Sequence, residues 1–318
     1  IIDLRSNPGG YVASAMEVAG YFIDELPVVT MKERKKALRY SALKQNEQVD
    51  GQVIILIDGN SASAAEILSA ALKNYHRALI LGTTSYGKGT VQQIFPLSNG
   101  DVFKITVARF YSPAGDTIDR KGVTPDLELG PENIIKVAEL LLADPRERNL
   151  STNELIIFEI GPFVSIIDPQ MAQMGTYWQA WGNIVDGLKY TPVYHGCPRE
   201  TWPQYSDSEK DMRWPLYYPG YDFLGEYKDV LPGTAITVTL SQTMDKKYVN
   251  ASNIELINAV SGKRTEIEIK SRDEKILEVI LPEDIAAGEY WLVIRDTSCF
   301  SNQKPGTGML AKINIRRE

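Results

Sequence analysis

The chain has 318 residues with 34 Lys and Arg against 41 Asp and Glu, and the resulting formal charge of −7 argues against nucleic acid as its main partner. Its hydrophobic content of 43% and charged content of 24% are those of globular protein, with length for two or three domains, and no run is long and apolar enough to cross a bilayer as a helix. Cys197 and Cys299 stand too far apart for a zinc pattern or a disulfide framework, and His76 (read as a helix-end residue) and His195 (read as a loop residue) form no metal set, so neither metal nor cofactor is expected.

In chain order, Ile1-Ile2-Asp3-Leu4 opens inside a strand-like run without a methionine or a signal peptide, so the chain reads as a fragment or a processed piece. After the turn Asn7-Pro8-Gly9-Gly10, the apolar residues Val12, Met16, Val18, Ala19 and Phe22 predict a helix over 11–23. A charged, strand-rich stretch follows over 28–49, where Lys32, Arg34, Lys35 and Lys36 read as a solvated hairpin rather than a binding patch. Val53 to Ile57 is an apolar β-branched run ended by Asp58-Gly59, the pattern of a strand buried on both faces in a parallel sheet. Ile67, Leu68, Ala71, Leu72 and Tyr75 then repeat at helical spacing, and Ala78 to Leu81 supplies a second strand ending at Gly82. Reactive residues near strand ends of such an α/β unit sit where chemistry usually gathers.

Two of them carry potential chemistry. A serine hydroxyl such as that of Ser63, at the helix start, is a weak nucleophile until a base removes its proton, and a lysine such as Lys88 can be that base when burial disfavours its ammonium form. The residues around Lys88 are small, and no carboxylate lies near it in sequence. Strand character in Gly89 to Leu97 predicts Lys88, Thr90 and Gln92 on one face, where Gln92 can orient the amine. Blander readings exist for both. Ser63-Ala64-Ala65-Glu66 has the spacing of a helix capping box, and Lys88 alone reads as a solvated loop lysine. Gly82 to Lys88 also matches the first seven positions of a phosphate-binding loop, but Gly89 stands where that motif needs Ser or Thr, and a strand rather than a helix is predicted to follow.

Beyond this unit, Val102 to Tyr111 reads as a strand, Pro113-Ala114-Gly115 as a turn, and Pro131-Glu132 opens a helix through Leu142. Asp144 to Arg148 is a polar linker. Leu155 to Val164 is predicted to form one strand or two. A proline-rich stretch then carries many aromatics, among them Trp178, Trp181, Trp214, Tyr217 and Tyr218. Such rings can stack on cell-wall sugars or build the core of an irregular small domain. From Gly233 the pattern is all-β, with alternating runs over 234–240, 254–256, 265–270, 276–281 and 290–295 separated by turns, as in a β-sandwich.

Four segments in order resemble the C-terminal processing (tail-specific) peptidases: Asp3 to Gly10, Ser61 to Glu66, Gly82 to Gln92, and Ile105 to Gly115 running on to Gly122-Val123-Thr124-Pro125-Asp126. The resemblance implies a serine/lysine protease with a crotonase-like α/β core. It makes Ser63 the nucleophile with Ser61 as the rival, Lys88 the general base and Gln92 its positioning residue. It makes the backbone N–H groups of Gly9 and Ala64 the oxyanion hole, with Glu66 in support. In that family a PDZ domain and the first part of the core precede this point, and the cell envelope or the exterior is the location. Ser241 to Asp245 and Val249 to Ile254 resemble bacterial Ig-like surface domains. The expected organisation is a partial peptidase core over 1–146, an unassigned aromatic-rich region over 147–231 and an Ig-like sandwich over 232–318. The expected function is endopeptidase action on exposed or unfolded polypeptides near their C-termini. The alternatives are an inactive envelope protein that binds wall polymer or a surface partner, and a crotonase-like acyl-CoA enzyme.

Overall fold

The computed structural model describes residues 1–143, 155–196, 202–239, 249–273, 275–295 and 308–316. The linker from Asp144, both cysteines and the Ser241–Asp245 motif lie outside the described residues. The chain forms two compact units, one of residues 1–142 with 159–165 and the other of residues 143–158 with 166–318.

The first unit runs β1 (Ile2–Asp3), α1 (Val12–Ile23), β2 (Pro27–Lys32), β3 (Ala37–Ser41), β4 (Ile54–Ile57), α2 (Ala64–Asn74), β5 (Leu79–Gly82), β6 (Thr90–Pro96), β7 (Val102–Tyr111), β8 (Leu127–Glu128) and α3 (Ile134–Leu142). Strands β1, β4, β5 and β8 form a parallel sheet in that order, with Ile55 beside both Ile2 and Ile80. Every residue of β4 and β5 is buried, as expected for apolar runs without a polar face. Residues 64–72 of α2 are buried as well, and Ala71, Leu72 and Ile67 join Ala19, Ile23, Ile55 and Ile80 in one core. Helix α1 packs on α2 through small residues such as Ala15 and Ala19, so its apolar stripe faces the core rather than solvent.

A second, antiparallel sheet has the order β3-β2-β7-β6. Its β2–β3 hairpin is the predicted charged one. Strand β2 meets β7 only from Thr30↔Tyr111 to Lys32↔Arg109, so the outer part of the β6–β7 hairpin stands beyond it as a two-stranded ribbon.

Strands β9 (Leu155–Ile160) and β10 (Phe163–Ile167) each have residues in both units, and the second unit further contains α4 (Pro169–Ala172), α5 (Gly175–Gly187), β11 (Val193–Gly196), α6 (Asp207–Met212), α7 (Trp214–Tyr217), β12 (Asp222–Val230), β13 (Ala235–Thr239), β14 (Ile254–Asn258), β15 (Arg264–Thr265), β16 (Glu268–Ser271), β17 (Ile276–Ile280), β18 (Gly288–Ile294) and β19 (Met309–Ile315). Leu155 to Val164 thus forms two strands. His195, expected in a loop, is part of β11 and stacks on Tyr205 with ring centroids 4.3 Å apart. Two sheets, β12-β19-β18-β14-β15 and β13-β17-β16, share a core that includes Ile236, Leu256, Val279, Leu292 and Ile313.

Much of the aromatic stretch forms core, although Phe223 is exposed and Trp202 half-buried. Trp178, Trp181, Tyr217 and Tyr218 are buried together with Trp291 of β18, and Trp178 lies 4.4 Å from Tyr217 and 5.5 Å from Trp291 between ring centroids. The Trp178 indole N–H donates to Ala259 O at 3.0 Å, and Trp181 donates to Leu216 O at 3.0 Å, so these rings are buried with their polar atoms paired. Burial pushes the Tyr217 hydroxyl up to about 12. These rings therefore offer no face to a sugar. Gly262 is pressed on Trp178, where a Cβ would lie 2.3 Å from the indole.

This packing makes a testable statement. Trp178→Ala is expected to destabilise the second unit by about 3–5 kcal/mol, the usual effect of emptying a large aromatic site. All 5 tryptophans, from Trp178 to Trp291, belong to this unit, so the shift is read by tryptophan fluorescence during urea unfolding. An unchanged midpoint would show that the ring is not a core element.

Candidate active site

The serine expected to react lies at the end of a constrained turn. After β4, Asp58-Gly59-Asn60 reverses the chain and Ser61 is fully buried. The Ser61 hydroxyl donates to Leu4 O at 2.7 Å and accepts the Asp58 N–H at 2.9 Å, which gives it a structural task and removes it as a rival nucleophile. Ser63 has φ 57° and ψ −115°, far from the extended backbone of an ordinary N-cap. A non-glycine residue held there costs of order 1–3 kcal/mol and persists only when its surroundings over-determine it.

The surroundings do so. Ala62 N–H donates to Asn7 O at 2.9 Å, and Ser63 N–H donates to Glu66 Oε2 at 2.8 Å, the capping-box contact that the spacing predicts. Glu66 does more than close the cap. Its carboxylate is only 1% exposed, and the same Oε2 accepts the Lys88 N–H at 2.9 Å. Its Oε1 accepts the Gly87 N–H at 2.6 Å and the Ser85 hydroxyl at 2.5 Å. One carboxylate thus ties the backbone of Ser63 to the loop that carries Lys88. Ser85 continues the network by accepting the Val123 N–H at 2.7 Å. Arg120 N–H on Gly87 O and Phe110 N–H on Gly89 O, at 2.8 and 2.9 Å, fasten the loop on its other side.

The Lys88 side chain is exposed, as its reading as a solvated loop lysine has it and without the burial that a lysine base calls for, because the loop Ser85 to Gly89 buries its small residues and turns the lysine outward. The predicted shared face is corrected. Strand β6 begins at Thr90, so the alternation that was to align Lys88 with Thr90 and Gln92 does not reach the lysine. Val91 packs against the core while Gln92 is exposed, and among the described residues no hydrogen bond joins Gln92 to Lys88.

The oxyanion candidates do meet. Gly9 has φ 92°, and a Cβ built on it would stand 2.7 Å from Ser63 Cβ and 2.8 Å from Ala64 N. Only a glycine lets the turn lie this close to Ser63. The Ala64 N–H is the first of α2 and has no intrahelical acceptor, in the positive end of the helix dipole. The Gly9 N–H, however, donates to Asn7 Oδ1 at 2.9 Å. Asn7 was not singled out in the sequence, although it stands inside the quoted Asp3–Gly10 segment. Gly9→Ala is expected to lower turnover about a hundredfold or more through this contact. The check is kcat of the variant beside its thermal unfolding. A folded Gly9→Ala protein with unchanged kcat would remove the turn from the site.

Around this centre, Arg5 forms a fork on Asp3, with Nε–Oδ1 at 2.9 Å and Nη2–Oδ2 at 2.6 Å, and holds the Asp3 carboxyl below its ordinary range. At Asp58, partial burial raises the value, but N–H donors from Ser6 and Asn60 and hydroxyls of Ser6 and Ser61 outweigh it, and the net shift is downward. A cavity of about 480 Å³ at the carboxyl ends of β1, β4 and β5 is lined by Arg5, Asp58, Thr83, Leu129 and Ile134 among others. Among the described residues no three His, Cys, Asp or Glu side chains are grouped to hold a metal, and no helix is long and apolar enough to cross a membrane.

Comparison with known proteins gives a consistent family. Residues 1–129 match the model of peptidase family S41. A carboxy-terminal-processing protease of Bartonella bacilliformis is 40% identical over 129 residues, which are 40% of this chain and 30% of that protein. Carboxy-terminal processing protease CtpB of Bacillus subtilis is 33% identical over 158 residues, 49% of this chain and 32% of that protein. The chain spans about a third of the length of the curated relatives it matches. Among solved structures, the photosystem II D1 C-terminal processing protease aligns with 34% identity over 45% of this chain and 38% of its own, with a TM-score of 0.40. Residues 1–129 of this chain therefore form a peptidase family S41 domain.

Proposed function

We propose that the S41 domain is a serine endopeptidase that uses Ser63 as nucleophile and Lys88 as general base. Ser63 Oγ attacks a peptide carbonyl while the Lys88 amine takes its proton, and the carbonyl oxygen becomes an oxyanion facing the Ala64 N–H. Lys88 then gives the proton to the departing amine. Water, activated by the same lysine, releases the acyl group from Ser63. Gly9 supplies the second oxyanion donor once its N–H turns from Asn7 Oδ1 to the substrate, and Gln92 steadies the amine in the bound state.

The observation that carries this reading is the Glu66 carboxylate, whose Oε2 accepts from both Ser63 and Lys88. A buried acceptor serving four donors from two segments is far more than a helix cap needs. The strained φ of Ser63 supports it further. Because the Lys88 side chain stands in solvent, dehydration of the amine has to come from the peptide that covers it.

The substrates of this reading are exposed or unfolded chains cut near their C-termini. By analogy with the named relatives we place the domain in a crotonase-like class and outside the cytoplasm, and take the sandwich of the second unit as an Ig-like spacer. The test is hydrolysis of casein, an unfolded polypeptide. Ser63-dependent cleavage supports the assignment, and cleavage that survives Ser63→Ala sinks it.

A further inference from the structure

The outer β6–β7 hairpin is apolar on both faces, and both faces are open. Register places Ile94 opposite Lys104 and Pro96 opposite Val102 on one face, and Phe95 opposite Phe103 and Gln93 opposite Ile105 on the other. On the first face Ile94 is 60% and Val102 68% exposed; on the second Phe95 is 41%, Phe103 51% and Ile105 42% exposed. Scattered exposed hydrophobics are normal, but a ribbon carrying them on both sides marks an interaction surface. A helix or a flat protein surface laid on this ribbon would cover one face and leave the other wet. A strand added in the plane of the sheet would touch both, because its own side chains alternate between the faces.

The topology leaves room for such a strand. β6 is the last strand of the sheet order β3-β2-β7-β6, so among the described residues one row of its backbone N–H and C=O groups has no partner in the sheet. Its first residue, Thr90, stands two positions after Lys88, and its far end, Pro96, lies next to the hairpin tip. The free side of β7 leads instead toward Lys32 of β2, away from Lys88.

We propose that β6 is the docking strand for an extended, apolar stretch of polypeptide, which pairs with its open edge, lays alternate side chains against Ile94 and Phe95, and is led toward Lys88 and Ser63. The inference rests on the peptidase reading for the identity of the occupant as substrate, and it deepens that reading by naming the substrate class as unfolded chain with alternating large apolar residues. Main-chain pairing supplies affinity without demanding one sequence, while the two apolar rows select against charged chains.

The test uses the whole chain with Ser63→Ala, so that binding is seen without cleavage. A fluorescein-labelled, unstructured apolar peptide of about ten residues, enough to span β6, is followed by anisotropy. The Ile94→Lys/Phe95→Lys double variant changes one exposed side chain on each face, and near-UV circular dichroism confirms that it folds. It is expected to bind the peptide about tenfold more weakly, a change equivalent to about 1.4 kcal/mol. A version of the peptide with every backbone nitrogen methylated keeps its side chains but has no N–H to pair on either edge, and it is expected to lose binding. Equal affinity of the double variant, equal affinity of the methylated peptide, or no binding of the parent peptide would each overturn the proposal. So would a concentration-dependent dimer in sedimentation that the double substitution abolishes while peptide binding stays the same, since the edge would then serve a second copy of the chain. Peptide binding that behaves as expected, together with no hydrolysis by the Ser63 protein, would sink the peptidase reading and leave the docking strand standing.

Discussion

Replacing Ser63 by Ala is expected to remove casein hydrolysis, with turnover falling by about a thousandfold or more, and Lys88→Ala is expected to do the same. Residues that act as one nucleophilic unit lose nearly all of its activity when any one is removed, so the two single variants and the double variant should be about equally inactive. Neither substitution should unfold the domain. Ser63 meets Glu66 through its backbone N–H, and Lys88 does so through its own N–H, so both contacts survive truncation of the side chains. Thermal unfolding of each variant within a degree or two of the parent is the control. Additive rather than equal losses would mean that the serine and the lysine do not form one unit. Hydrolysis that needs Lys88 but not Ser63 would point to a water-attack mechanism on the same loop. Full activity without Ser63 on acyl-CoA thioesters would favour the acyl-CoA alternative.

The second large effect is expected at Glu66. Glu66→Ala leaves four donors without their acceptor: the N–H groups of Ser63, Gly87 and Lys88 and the hydroxyl of Ser85. Each unpaired buried donor costs about 1–3 kcal/mol, so the alanine variant should lose more than about 3 kcal/mol of stability. Glu66→Gln is the informative variant, because it keeps the shape. One of its two terminal atoms becomes an NH₂ group, which has nothing to offer an N–H donor. With the oxygen toward Ser85 and Gly87, the NH₂ faces the two N–H groups of Ser63 and Lys88. In the opposite orientation the Ser85 hydroxyl can rotate to accept and only the Gly87 N–H is stranded. The second orientation strands fewer donors and keeps the Ser63 and Lys88 contacts, so the folded Gln variant is expected to keep KM and to lose less kcat than the alanine variant, through the loosened Gly87 N–H beside Lys88 alone. A Gln variant with parental kcat would show that the carboxylate serves the fold alone.

Local patterns settled much of the first unit before any tertiary contact was known. Val53 to Ile57 has no polar position, which leaves a two-sided buried strand as its only stable setting, and the helical spacing of Ile67, Leu68, Ala71 and Leu72 put the next helix directly after the turn. The same patterns placed Ser63 at the helix start and Glu66 three residues on, and the glycines beside Asn7 marked a turn capable of close approach. In the second unit, the all-β runs from Ala235 onward were visible because alternation repeats every two residues whatever lies opposite.

What sequence determined by itself, then, is most elements of the first unit and the alternating β runs of the second, with the residue types at their ends, since these follow from period, turn chemistry and capping within a few positions, whereas the helices between Pro169 and Tyr217 were not legible. Only the tertiary structure decided which of those ends meet. Glu66 and Lys88 are 22 positions apart, and Ser85 and Val123 are 38 apart; no local rule links them. It also decided that Lys88 faces solvent, because a side chain's exposure depends on how its loop is fastened to Phe110 and Arg120 rather than on its neighbours in sequence. The aromatics of the second unit make the same point. Trp178 of α5 and Trp291 of β18 are far apart in sequence, and the rings of the aromatic stretch could be read as a sugar platform or as a core until burial placed Trp178 against Trp291. Burial is a property of the closed chain, set by long-range packing, and composition alone cannot express it.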